Sequence, residues 1–558
     1  MNARPAMTQN DFSPLSPPRL GAWSPALSVS VVVPAHGGPH LELTLAALAA
    51  QTYPDHLMEV LVVDDGSEPP ISLPEIRPVN TRLVRPETGW GISNAVNAGA
   101  GAADGEIIQR LDSDMVACRE HIEALARWHH LTDYLVTIGM KKFVEAPPLT
   151  AAEVRRAGHL GELFDLDKAV ASSTEATIAK TDGLRRSRNP YHVCTGPTFA
   201  VHRDVFHAVG GLDPTVVRGE DTEFAYRLAM HGVGFVPDLE AQAVHLGLPA
   251  QHRDRERAVR AVEPYLAHRI PLRRDLRKEA GRRWLVPYVE VVLDVTDTSE
   301  AVVRRAVAAA LDGTLQDVVV TLVGPWARLH DGRRSVLSDP CFELRLMRDL
   351  FAHDQRIRLI DEAAPTPAPT PFRYRGPVDV PLHRSTLERM VETVQKDLTG
   401  VLVVDLPDGR TARLERTSAL GRALLLSAPG DDLDDVIGVT HGVRHVAPDR
   451  YWPAAPAEPA STGPAPATPA PARSGTAPAG NGGGPGGKGA GPGGGAGTGA
   501  GGGSRGGAGA DGGPGAGGAS AKPAARRTGE PVGATVPATR PPADRTLLGR
   551  LKSALRPD

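Results

Sequence analysis

Cysteine is nearly missing from this chain of 558 residues: there are three. Cys118, Cys194 and Cys341 lie far apart and no Cys-x-x-Cys occurs. That excludes a disulfide framework and a thiolate zinc site. Long apolar runs are missing too, so nothing in the sequence reads as a membrane span. The polar, Pro-rich stretch Met1–Trp23 has no apolar signal-peptide core. No charge of one sign dominates: the net charge is −3. A polyanion binder driven by net charge is therefore excluded, and no nucleic acid is expected as partner. Lysine is scarce beside arginine, a compositional bias that says little about chemistry. These absences predict a cytoplasmic protein.

What is abundant is glycine and proline, 60 and 51 residues. They concentrate in 453–544, which is Pro/Ala-rich and then Gly-rich. Such a segment cannot bury enough apolar surface to offset its ordering entropy, and it reads as a disordered linker. Beyond it, 545–556 sets Leu547, Leu548, Leu551 and Leu555 on one helical face, with Arg545, Arg550, Lys552 and Arg556 mostly elsewhere. That pattern suits a short basic amphipathic helix, docking on the inner face of a membrane or on a partner protein.

Ahead of the tail, strand and helix signals alternate. Val29–Val33 is a β-branched run closed by Pro34. An apolar helical stretch holds Leu41, Leu45 and Leu48. Val60–Val63 is a second strand, ending in Asp64-Asp65-Gly66-Ser67. Thr81–Val84 is a third, and Gly105–Ile108 begins a fourth that ends in Leu111-Asp112-Ser113-Asp114. The alternation predicts an α/β fold with a mostly parallel sheet, whose ligands bind beyond the carboxyl ends of the strands. Both acidic clusters stand at those ends. Asp112 and Asp114, two apart on an extended segment, would share a side. They could hold one hard divalent cation, or divide between a metal and a ribose hydroxyl.

The motifs VVVPAHGG, VVDDGS, GWGISNAVNAGAGAADG, LDSDM, TGPTFAVHRDVFHAVGGLDP and GEDTEFAYRLAMHG occur in that order over about residues 28–250. The series resembles glycosyltransferase family 2, nucleotide-sugar-dependent enzymes with the GT-A, Rossmann-like fold. The resemblance implies that Pro34, Ala35, Asp64 and Asp65 receive the nucleobase, with Arg85 facing base or phosphate. It brings the Gly89–Asn97 turn, including Asn94, close to the nucleotide. Asp112 would bind the ribose or a metal-linked water. Asp114 would ligate Mn²⁺ or Mg²⁺ bridging the diphosphate, with Asp112 and His245 as further metal contacts. Asp221 would be the general base that deprotonates the acceptor hydroxyl, with Glu220 beside it as alternative. The activity implied is transfer of a single sugar, most simply from a UDP-sugar, to a glycan or lipid-linked acceptor in cell-envelope or surface glycan biosynthesis. Single displacement would invert the anomeric centre. A retaining enzyme and a non-catalytic assembly factor of an envelope-glycan machine are the alternatives.

Three features depart from the family pattern. Met115 follows the DxD motif where another acid is common. The QxxRW motif of processive synthases is absent, with Arg282-Arg283-Trp284 a partial echo. Spans typical of those synthases are missing as well, which favours single addition. The stretch 145–192 falls where acceptor-facing loops are expected, and its Arg185-Arg186-Ser187-Arg188 cluster would suit an anionic acceptor.

Residues 285–450 read as a second, smaller α/β domain, after an extension at 1–27 and a catalytic domain at 28–280. Tyr288–Asp294 parallels Ser28–Pro34, Val318–Pro325 parallels Val60–Gly66, and Arg356–Asp361 parallels Thr81–Arg85. Gly400–Asp408 is matched to Gly105–Asp112, and Ala412–Leu420 to Phe199–Phe206. The pattern suggests a degenerate GT-A-like copy without the acids. Such a copy would hold the acceptor, a partner protein or a homodimer contact, and it requires the same strand order in both halves.

Overall fold

The computed structural model describes residues 4–248, 254–279 and 281–453. The expected linker beyond 453 and the basic helix at 545–556 lie outside the described residues. The first sheet comprises β1 (Val29–Ala35), β2 (Met58–Asp64), β3 (Thr81–Val84), β4 (Ile107–Leu111), β5 (Met115–Ala117), β6 (Leu135–Val144), β7 (Val170–Ala171), β8 (Thr198–His202) and β9 (Gly234–Leu246). Its order is β3-β2-β1-β4-β8-β6-β9-β5, with β7 on β6. β1 to β4 are mutually parallel where they pair. Beyond β4 the sheet is mixed, because β8 enters antiparallel between β4 and β6. The parallel half is the half whose strands alternate with helices.

β1 is buried along its whole length, as a central parallel strand must be. Val29, Val31 and Val33 pack with the helices Leu41–Leu48 and His121–His129 on one face. Val32 packs with the helix Ile92–Gly101 on the other. That helix lies so close that a Cβ on Gly99 would collide with Val32 and stand 3.0 Å from Val63. The N-terminal extension also packs here: Met7, Phe12 and Leu15 are buried against Trp128, Tyr134, Leu135 and Val236.

The second sheet comprises β10 (Val289–Asp294), β11 (Val318–Val323), β12 (Ile357–Ile360), β13 (Phe372–Arg375), β14 (Val401–Asp405), β15 (Thr411–Arg416) and β16 (Val443–Val446). Its order, β12-β11-β10-β13-β15-β14-β16, repeats the first seven positions of the first sheet. The strand directions repeat as well. So does the register: Val29 faces Met58 as Val289 faces Val318, and Val32 faces Arg110 as Val292 faces Arg375. One sequence match shifts. The strand in the place of β4 is β13, whereas Gly400–Asp408 forms β14, in the place of β6. Counting along the registers, Gly324 and Pro325 stand where Asp64 and Asp65 stand, and Pro377 and Asp379 stand for Asp112 and Asp114. Asp379 is paired with Arg410 at 2.6 Å.

The two sheets meet through the C-terminal end of helix Glu220–Met230 and the helix Thr417–Leu426. Tyr226 Oη donates to Pro369 O at 2.6 Å, and Arg422 Nε donates to Gly232 O. A Cβ on Gly421 would stand 2.7 Å from the His231 carbonyl carbon, and one on Gly232 would collide with the Gly421–Arg422 backbone. Among the described residues, no helix is long and apolar enough to cross a membrane. All three cysteines are free.

Candidate active site

The parallel strands deliver their carboxyl ends to one edge, so Ala35, Asp64 and Asp65, Arg85, and Asp112 arrive together. Asp64 is fully buried. Burial alone would disfavour its charge, but Ser67 N–H at 2.8 Å, Ile71 N–H at 3.2 Å and Arg85 at 3.7 Å outweigh it. The carboxyl is held below the usual range. Asp64 thus closes the 64–71 loop. Asp65 is half-buried, its N–H bonded to Ala35 O, and both its oxygens accept from Gly91 N–H at 2.8 and 3.0 Å. Asn94 Nδ2 donates to Thr88 O at 3.1 Å, and its side chain fills the space a Cβ on Gly89 would need. Gly89 and Gly91 both have positive φ, which a glycine adopts without strain. These contacts fix the Gly89–Gly91 turn against Asp65 at the end of β2, and Pro34 lies on the neighbouring β1.

Asp112 and Asp114 do not share a side. Met115 N–H bonds back to Asp112 O, forming a turn that sends the two carboxylates to different partners. Both oxygens of Asp112 accept from Arg110, at 2.8 and 3.3 Å. Asp114 faces His245, with Oδ1 3.5 Å from Nε2. The antiparallel pairing of β5 and β9 puts them there: Met115 is in register with His245, and Leu246 N–H donates to Asp114 O at 2.8 Å. Burial pushes the Asp114 carboxyl up, Asp112 adds to this, and His245 opposes it.

Asp114 Oδ1 and His245 Nδ1 are buried without a hydrogen-bond partner. A carboxylate oxygen left open beside an imidazole is a donor pair that fits a divalent ion of the Mn²⁺ type. No group of three His, Cys, Asp or Glu side chains converges on a metal position among the described residues. The rest of a coordination shell would fall to diphosphate and water.

The second half of the site is built on the start of helix Glu220–Met230. Asp221 is half-buried; Oδ2 accepts from Gly196 N–H at 2.7 Å, and Oδ1 from Thr222 N–H at 2.6 Å. Glu220 is 7% exposed and lies 3.4 Å from Arg110 Nη1. Burial pushes its carboxyl up to about 7, with Asp221 adding to the rise and Arg110 opposing it.

Two basic residues complete the arrangement. Arg110, 2% exposed, binds Asp112 and Glu220 at once, and its guanidinium packs where a Cβ on Gly196 would stand 2.8 Å away. No motif assigns a role to this arginine. Its one signal is a charged residue inside the strand Ile-Ile-Gln-Arg-Leu, buried at every position. Lys141, on β6, has no motif around it. It is buried, donates to Thr195 Oγ1 at 2.6 Å, and burial brings it down to about 8 against the pull of Asp221 and Asp112. The site therefore has a metal-type donor pair on one side, a half-buried carboxylate on the other, and two buried cations between acids. That set can bind an anionic leaving group and take up a proton near it.

The chain is 25% identical to a chondroitin synthase of Escherichia coli over 358 residues, 60% of this chain and 50% of that protein. It is 26% identical to a hyaluronan synthase of Pasteurella multocida over 362 residues, 60% of this chain and 36% of that protein. The chain spans half or less of the length of these two relatives. A solved mannosyltransferase from Pyrobaculum calidifontis, in complex with GDP-Man and Mn²⁺, aligns at a TM-score of 0.29 and 19% identity, over 47% of this chain and 69% of its own. Residues 30–210, which carry β1 to β8 and the acidic strand ends, match the family model of glycosyl transferase family 2.

Proposed function

We propose that this chain is a metal-dependent glycosyltransferase that moves one sugar from a nucleotide-sugar, a UDP-sugar first, to a hydroxyl of a glycan or lipid-linked acceptor, with inversion. The observation that carries the reading is the gathering of Asp112, Glu220 and Asp221 around Arg110 at the carboxyl edge of the parallel strands, with Asp114 and His245 paired beside Asp112. Asp65 and the Gly89–Gly91 turn bound the nucleobase pocket, with Arg85 at its side. Asp114 and His245 would hold Mn²⁺ or Mg²⁺. When bound, such an ion neutralises charge on the departing diphosphate. Lys141 and Arg110 supply fixed positive charge to the same region. Asp221, oriented by Gly196 N–H and Thr222 N–H, takes the acceptor proton as the hydroxyl attacks the anomeric carbon. Glu220 is the better buried of the pair and stays against Arg110.

A second reading, repeated addition to a growing chain, is favoured by the likeness to proteins named chondroitin and hyaluronan synthases. The 285–450 domain is proposed as a degenerate copy of the first. Its repeated strand order, directions and register support this, and Gly324, Pro325 and Pro377 in the places of acids make it catalytically silent.

The test is a donor screen. The full chain is incubated with Mn²⁺ or Mg²⁺ and each UDP-, GDP- and dTDP-sugar, and release of the nucleoside diphosphate is followed. At least one donor should be consumed, and Asp114→Ala and Asp221→Asn should each abolish transfer. Turnover surviving Asp221→Asn sinks the base assignment. Product length separates single from repeated addition, and NMR of the product anomer separates inversion from retention.

A further inference from the structure

A cleft of about 440 Å³ opens between the two sheets, away from the carboxylates. Ala229 and Met230 at the C-terminal end of helix Glu220–Met230 line it, and about 12 Å of helix rise separates Ala229 from Asp221. Arg188, Arg416, Arg422 and His441 line it as well, and no aspartate or glutamate does. This is unusual in a chain with slightly more acids than bases. A cation withdrawn from water needs a counter-charge or full hydrogen bonding.

Arg422 has the second. It is 3% exposed, donates to the carbonyls of Gly232 and Gln9, and lies over the Tyr134 ring at 4.8 Å. Arg416 does not. Its Nη2 donates to Val394 O at 3.0 Å, while its Nε is buried without a partner. Burial brings Arg416 down to about 10, and Arg188 nearby adds to the effect. His441 is kept neutral by burial beside Arg422 and Arg416, so it offers hydrogen bonding without charge. Arg188 is exposed at the mouth. Met230, Val233, Phe235, Leu272, Pro371 and Phe372 supply an apolar wall. A bare anion fills only a small part of such a volume, since a water occupies roughly 30 Å³. The space falls within the usual range of small-molecule sites, roughly 300–1,000 Å³.

We infer that this cleft is a second ligand site, taking a small molecule that carries a carboxylate or phosphate group, with the oxyanion on Arg416 and Arg188 and the body against the apolar wall. A planar guanidinium pair suits either oxyanion through paired N–H donors. The site is independent of the donor pocket. It touches that pocket's framework through the segment Ser187–Tyr191, which runs on to Gly196 and its bond to Asp221.

The test uses the full chain without divalent metal. Glucose 6-phosphate, glucuronate and uncharged glucose are each titrated calorimetrically, and melting temperature is followed in parallel. One or both charged sugars should bind saturably and raise the melting temperature, while glucose does neither; which one binds tells phosphate from carboxylate. Charged hydrogen bonds of this kind make the expected loss in Arg416→Gln and in Arg188→Gln roughly tenfold or more in affinity. Arg188 is exposed, so Arg188→Gln should melt as the wild type does without ligand and keeps the test valid if Arg416→Gln misfolds. Asp114→Ala should bind as the wild type. The inference is overturned if neither charged sugar binds up to about 10 mM, if glucose binds equally, if Arg188→Gln keeps full affinity, or if Asp114→Ala loses it.

Discussion

Glu220 offers the sharpest check on the electrostatics of the site. Its carboxyl is raised from 4.5 to about 7, first by burial and then by Asp221. Its folded value lies above its unfolded one. Below about pH 4.5 both states hold the proton and the group is neutral in effect. As pH rises from there through 7, the unfolded chain ionises first, and stability is lost. A rise from 4.5 to about 7 corresponds to about 3 kcal/mol lost by pH 8. Glu220 is nearly solvent-free, so solvent screens little of this. Glu220→Gln cannot ionise and should escape the loss. For a domain of this size about 3 kcal/mol moves a melting midpoint by roughly 6–12 °C. The experiment is a series of thermal melts of both proteins from pH 4.5 to 8, followed by a probe of the first domain. The variant should gain on the wild type as pH rises, with most of the gain between pH 5 and 7.5. A melting difference that stays constant across this range refutes the reasoning. A variant that loses ground with rising pH would mean that the pair with Arg110 outweighs burial.

Other outcomes follow from the same geometry. Lys141 is held at about 8, so turnover that depends on its cation should fall as pH rises through 8. In Lys141→Arg the charge persists and that fall should move to higher pH in a pH–rate profile. Gly99→Ala removes a helix-weakening glycine but drives a methyl into Val32. Overpacking should win, costing about 1–3 kcal/mol in urea unfolding.

The strand ends were legible because parallel strands must deliver their carboxyl ends to one edge, so acids after Val63 and Leu111 had to meet. The relation of Asp114 to His245 was legible only through resemblance, since 131 residues separate them and β5–β9 pairing alone joins them. Arg110 and Lys141 were not legible as site residues. Each is a single basic side chain on a strand, and nothing in spacing tells a buried cation from a solvated one. The β13 strand was missed for a different reason. Phe372-Arg-Tyr-Arg375 is four residues long between Pro-rich stretches, and reads as loop until Tyr288 and Phe372 are seen packed edge to face. The N-terminal anchors Met7, Phe12 and Leu15 are too sparse to show a period.

The glycine contact between the two halves has a practical consequence. At Gly232 and Gly421 main chain rests on main chain, with no side-chain cushion to repack. The first domain is therefore a poor candidate for trimming. Cutting the chain near residue 285 would strip cover from Met230 and Tyr226 and leave Gly232 O without the arginine that caps it. A shortened enzyme should come out of expression sticky and heat-labile even though every residue of its active site is present, whereas one ending at about 453 should keep the fold described here.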